Sequence, residues 1–255
     1  MCLILFAWKA RADAPLIVAA NRDENFARPT DAAEFWADRP AILAGRDLNA
    51  GGTWLGVDRN GRFAAITNFR NPADRRENAP SRGALVAGYL WGKTRPGDYL
   101  AQLQDAGGAY NGFSLLVGDP DDLWFYSNRG TGPQRVEPGV HGLSNHLLDT
   151  PWPKVVKGIG ALETRIDSPF IAEDYFSVLS DSRPAPADAL PDTGIGAERE
   201  KWLSSMRIVG ADYGTRSSTV LCVTTGGSAE FHERTWARDG SAAGTVSYEF
   251  RIAQT

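Results

Sequence analysis

The sequence predicts an α+β fold in which two mainly antiparallel sheets pack together beneath helices. Three observations predict it. Short apolar runs bounded by turn residues recur along the chain. They come in consecutive groups, in the order strands, helices, strands, helices, strands, which a parallel βαβ array would not give. Tight-turn signals such as Asn60-Gly61 and Gly226-Gly227 join neighbouring runs as hairpins.

Residues 2–8 (CLILFAW) and 15–21 (PLIVAAN) are apolar runs separated by a polar turn containing Arg11 and Asp13, and they read as an antiparallel hairpin. Residues 41–45, 53–58 and 62–69 continue the strands, with Asn60-Gly61 between the last two. Residues 81–93 are the first helical segment, with Ser81 as its N-cap. Residues 96–106 are the second, opened by Pro96 and closed by Gly107-Gly108. Strands return at 113–119 and 123–128 around the turn Pro120-Asp121-Asp122, and again at 140–145. Residues 153–166 and 169–179 are helical in pattern. Residues 181–196 are rich in Pro, Asp and Gly without periodicity, which predicts a mobile loop. A short helix over 198–206 precedes strands at 217–225, 229–236 and 245–252. There is no repeat and no low-complexity linker, so residues 1–255 read as a single domain.

Hydrophobic residues make up 42% of the 255 and charged residues 23%, a balance that buries an ordinary core. A formal charge of -4 argues against broad nucleic-acid binding, which needs a basic face. No apolar run is long enough to span a bilayer, so no transmembrane segment is expected. The apolar start has no basic segment before it, unlike a signal peptide, and a cytoplasmic location is expected. Cys2 and Cys222 form neither a disulfide framework nor a zinc spacing, and His141, His146 and His232 match no metal motif.

Polar clusters at strand ends are the places for chemistry. Methionine is generally trimmed before a small second residue, which would make Cys2 the N-terminal residue. Its α-amine would then titrate at roughly 7.7–8.0 and its thiol at about 8.5, so one residue supplies base and nucleophile near neutral pH. Asn21-Arg22-Asp23-Glu24 follows the second apolar run and folds back toward Cys2 if the first two strands form a hairpin. A carboxylate there would orient the ammonium or accept its proton. Residues 67–72 (with Asn68 and Arg70), 143–146 (with Asn145) and 213–218 (with Arg216) are similar clusters. An amide N–H from an asparagine is a standard oxyanion donor, worth about 3–4 kcal/mol in a dry site. Trp54, Phe69, Trp91 and Trp152 are candidates for an apolar wall. Arg22, Arg28, Arg70, Arg75, Arg76 and Arg82 lie in or near the clusters, where they can grip carboxylates or phosphates bidentately.

Together the segments MCLILFAW, AANRDE, GGTWLGV with the following Gly-Arg-Phe strand and TNFR, GLSN with TPWPKV, and YGTRSSTV resemble the NRDE family of transport-and-Golgi-organisation proteins, over nearly the whole chain. That family is similar to N-terminal-nucleophile hydrolases of the choloylglycine hydrolase and penicillin V acylase type. The resemblance implies a four-layer αββα sandwich and cleavage of amide bonds with no cofactor required. It implies Cys2 as nucleophile, Asp23 as the carboxylate of the triplet Asn21-Arg22-Asp23, Asn145 as oxyanion donor, Asn68 as a second donor, and Arg216 as the arginine beside the last catalytic strand. Those relatives carry an arginine immediately before the triplet, whereas this chain has Ala20, with Arg22 nearby. Asn21, Arg22, Trp54 and Arg70 are the candidate ligand contacts. Two classes of function follow. One is a hydrolase acting on a small amide or thioester. The other is a non-catalytic carrier of haem or acyl-coenzyme A, because NRDE proteins are implicated in haem trafficking and in acyl-coenzyme A or lipid homeostasis. The chain has no C-x-x-C-H motif for covalent haem, and Cys2 and His146 both stand open as transient axial ligands. A purely structural interaction protein ranks last, since it leaves the strand-end clusters without a common purpose.

Overall fold

The computed structural model describes residues 2–253. Its strands are β1 (Cys2–Trp8), β2 (Leu16–Asn25), β3 (Thr30–Phe35), β4 (Ile42–Asp47), β5 (Leu55–Asp58), β6 (Phe63–Asn68) and β7 (Phe113–Gly118). They continue as β8 (Leu123–Ser127), β9 (Gln134–Arg135), β10 (Gly139–Leu143), β11 (Tyr213–Val223), β12 (Ser228–Trp236) and β13 (Ala242–Arg251). The helices are α1 (Gly83–Trp91), α2 (Pro96–Ala106), α3 (Pro153–Glu163), α4 (Ala172–Leu179) and α5 (Ala197–Trp202).

One sheet has the order β10-β1-β2-β11-β12-β13 and the other β3-β4-β5-β6-β7-β8-β9, with every pairing antiparallel. Alternation along the strands divides the core into three layers. Ile4, Phe6, Val18, Val57, Phe63, Leu116 and Phe231 fill the space between the sheets. Leu3, Leu5, Ile17 and Ala19 point the other way, against Val155, Leu162, Phe176 and Leu179 of α3 and α4. Ala64, Leu115 and Val117 on the second sheet meet Leu85, Val86, Leu90 and Leu100 of α1 and α2. The layers are therefore α, β, β, α. β1 is covered on both faces, which is why its sequence reads as one apolar run instead of an alternation.

The first hairpin pairs Cys2 with Arg22, as the sequence predicts, but β2 runs on to Asn25. The Asn21–Glu24 tetrapeptide is thus ladder, not a turn beyond a strand. β11 covers it on the other side and gives its polar residues partners. β3 was not foreseen, because an edge strand reading TDAAEF is mostly exposed and has no apolar run. No side-chain hydrogen bond caps α1, whose cap position falls on Arg82 and not on Ser81. The helices expected at 153–166 and 198–206 end earlier, at Glu163 and Trp202. Among the described residues no helix is long and apolar enough to cross a membrane.

α3 packs closely on β1 through a glycine. A Cβ added at Gly158 would come within 2.5 Å of Leu5 Cδ2, and Leu5 is fully buried. Gly158→Ala must therefore displace the Leu5 side chain or lift the helix from the sheet, and we expect a loss of about 1–3 kcal/mol. Urea denaturation checks this; a midpoint unchanged from wild type would show that the layer is looser than its geometry.

Candidate functional site

Cys2 opens β1, the strand flanked by β10 and β2. Alternation sends Cys2 and its cross-strand partner Arg22 into the space between the sheets, and sends Asn21 and Asp23 toward the helix layer. The sheets part at this end around a cavity of about 560 Å³, whose wall includes Cys2, Arg22, Asp23, Trp54, Asn68, Arg82 and Arg216.

A clasp across the two sheets holds the Cys2 end. The backbone N–H of Cys2 donates to Asn145 Oδ1 at 3.3 Å, and Ser144 Oγ donates to the Cys2 carbonyl at 3.0 Å. Asn145 Nδ2 donates to the Asn68 carbonyl at 2.9 Å, and Thr67 Oγ1 to the Ser144 carbonyl at 2.5 Å. The backbone N–H of Arg70 closes on the Asn145 carbonyl at 2.7 Å. The end of β6 and the residues after β10 are thereby locked together beneath Cys2. One hydrogen of the Asn145 amide is engaged by Asn68, and the residue is fully buried and not itself on the cavity wall.

Burial pushes the Cys2 thiol above its ordinary range. The Asp23 carboxylate adds to the rise, while a hydrogen bond from the Asp23 backbone N–H and the charge of Arg22 oppose it. Burial likewise raises Asp23, against the pull of Lys154, the hydrogen bond from Thr215 and the charge of Arg22. Thr215 Oγ1 donates to Asp23 Oδ1 at 2.6 Å, and the Tyr213 hydroxyl to the Asp23 carbonyl at 3.2 Å.

Arg22 is the cation that this ladder places on the cavity wall. Its side chain is only 8% accessible, with Nη2 at 3.9 Å from Glu24 and 3.8 Å from Asp47. Its Nη1 has no hydrogen-bond partner among the described residues. Asp47 is bound more closely by Arg28 at 2.5 Å, so Arg22 remains poorly compensated.

Other residues singled out in the sequence stand elsewhere. Asn21 is fully buried and does not reach the cavity: its amide donates to the Leu179 and Met206 carbonyls, both at 2.8 Å, and it accepts from Ser218 at 2.5 Å. Arg70 faces the helix layer too, stacked at 4.5 Å on Trp152 and paired with Glu200. Arg216 sits at a bulge in β11 and donates to the carbonyls of Asn25 and Arg28, both at 3.0 Å, which fixes the β2–β3 turn. It borders the cavity from there. His146 is stacked between Phe69 and Trp152, with centroids at 4.6 and 5.7 Å, and is not on the cavity wall. Met1, whose removal the sequence predicts, lies outside the described residues.

A family model described as "Transport and Golgi organisation 2" matches residues 1–238. The chain belongs to this Transport and Golgi organisation 2 family. The Bos taurus Transport and Golgi organization protein 2 homolog is 36% identical over 99% of both chains, and that of Homo sapiens 35% identical over 99% of both. The Drosophila melanogaster protein is 28% identical over 92% of each. Two solved structures are similar at 10% identity. A conjugated bile acid hydrolase from Clostridium perfringens, solved as a mutant, has a TM-score of 0.49 over 99% of this chain and 98% of that one. A Caenorhabditis elegans ortholog of N-acylethanolamine-hydrolyzing acid amidase has a TM-score of 0.44 over 86% and 92%.

In this Transport and Golgi organisation 2 chain, sequence reasoning missed Lys154, Glu200 and Glu233. Lys154 stands inside the TPWPKV segment, where it reads only as the start of a helix. Glu200 lies 130 residues from the arginine it neutralises, with no local pattern to announce it. Glu233 is buried where β12 meets β3, and it accepts from the Ala33 backbone N–H at 2.7 Å.

Proposed function

We propose that Cys2 is the nucleophile of a hydrolase that cleaves an amide or thioester. The observation that carries this reading is the placement of the thiol on the cavity wall while the nitrogen of the same residue is bonded to Asn145. With Met1 removed, that nitrogen is an amine able to take the thiol proton. The thiolate adds to the substrate carbonyl. Asn68, on the cavity wall, receives the oxyanion. The intermediate collapses, the leaving amine or thiol takes the proton, and water then releases the acyl group from Cys2. Arg22, desolvated and with Nη1 open, favours a substrate that carries an anionic group near the carbonyl.

The same arginine supports a second reading, carriage of an anionic ligand such as haem or acyl-coenzyme A without turnover. Cys2 and not His146 would then face a bound haem.

Intact-mass measurement before and after exposure to an acyl thioester separates the two. The hydrolase reading expects loss of Met1 and one acyl group per chain, on Cys2. A retained Met1 or an unchanged mass leaves carriage, for which Arg22→Met should weaken binding about tenfold or more.

A further inference from the structure

One carboxylate on the cavity wall has no part in the chemistry proposed for Cys2. Glu233 of β12 is 4% exposed and borders the same cavity as Cys2 and Arg22. Three donors converge on it: the Ala33 backbone N–H at 2.7 Å, the Thr219 hydroxyl at 3.3 Å and the Ser217 hydroxyl. These satisfy its oxygens without neutralising its charge. No cation among the described residues forms an ion pair with it, and Arg22 lies nearer to Glu24 and Asp47, at 3.9 and 3.8 Å.

The ladder fixes where the two charges stand. Cys2, Arg22, Ser217 and Thr235 are successive cross-strand partners over β1, β2, β11 and β12, and all four border the cavity. They form one polar row perpendicular to the strands. Thr219 and Glu233 are partners one row deeper on the same face. Strands about 4.8 Å apart and residues about 3.4 Å apart along each strand put the Cα atoms of Arg22 and Glu233 about 12 Å from one another. On the facing sheet, β4 brings Gly45 to the carboxylate. A Cβ there would stand 3.7 and 3.8 Å from the two Glu233 oxygens, so the missing side chain leaves the space beside them to the cavity, which Gly45 also borders.

We propose that the cavity takes a zwitterionic ligand, its anionic group on Arg22 and its ammonium on Glu233. Arg22 offers a buried Nη1 without a partner, and Glu233 a carboxylate without a counter-charge, so each lacks what such a ligand brings. Burial holds the Glu233 carboxyl above its usual range, against the donors from Ala33, Ser217 and Thr219, and an arriving ammonium favours the ionised form. A plain fatty chain laid along the row would instead cover hydroxyls and a carboxylate with methylenes, at a cost in desolvation. Binding of this kind rests on the reading of the cavity as the ligand site with Arg22 as its anion contact, yet it needs no turnover at Cys2. A chain that hydrolyses nothing but binds the zwitterion keeps this assignment and loses the hydrolase.

The experiment is isothermal titration of the full chain with ω-aminooctanoate and with octanoate, which differ by the terminal ammonium. The wild type should bind the amino acid about tenfold more tightly than the fatty acid. In Glu233→Gln, whose amide oxygen can still accept from Ala33, octanoate should bind no worse and the preference should fall to about twofold or less. Arg22→Met should weaken both ligands alike. Equal affinities in the wild type, or no binding of either ligand, would overturn the proposal whether or not the variants fold. So would a preference that survives intact in folded Glu233→Gln, because the ammonium would then sit elsewhere.

Discussion

Cys2→Ala is expected to leave a folded chain that takes up no acyl group from a thioester and turns none over. Deleting the attacking atom of a covalent mechanism lowers turnover by about 10⁴-fold or more. Stability should move by no more than about 1 kcal/mol, because the residue is half-buried and the bonds that hold it belong to its backbone. Thioester turnover and a thermal melt on the same sample check both halves. Turnover equal to wild type would remove Cys2 from the role of nucleophile.

Glu200→Ala should have the largest effect on stability. The side chains of Arg70 and Glu200 are 6% and 3% exposed. Removing the carboxylate strands a guanidinium that burial already disfavours. Breaking such a pair costs about 3–5 kcal/mol, against a smaller loss when both members become apolar. In a chain of this size that is a fall in melting temperature of roughly 10 °C, with recovery in Arg70→Met/Glu200→Leu. A single variant that melts with the wild type would show that water reaches the pair.

The parts of this molecule legible in its sequence are those that depend on nearest neighbours. The β1–β2 hairpin, the Asn60-Gly61 turn and the Pro96 helix start are local, and the structure places them where the pattern does. The gathering of residues 2, 22–23, 68 and 216 about one cavity came from the family resemblance and not from spacing, and Asn145 is buried beside it, bonded to the Cys2 nitrogen. What stayed hidden was direction. Asn21 and Arg22 are adjacent letters of one motif, yet the pleat turns one into the helix layer and the other into the cavity. Arg70 looked like a ligand contact because Glu200, its partner, is distant in the chain. Edge strand β3, built from charged and small residues, offered no periodicity.

The place of β11 has a consequence for how the chain is made. β2 is buried on both faces and hydrogen-bonded on both edges, to β1 a few residues before it and to β11 nearly two hundred residues after it. A ribosome therefore releases one edge of the ladder that carries Cys2 long before the strand that covers it exists. Until then that edge is open and apolar, a template for pairing with another nascent chain. Production of this protein should depend on chaperones and low temperature more than its size suggests, and any truncation before β11 should yield aggregate instead of a smaller domain.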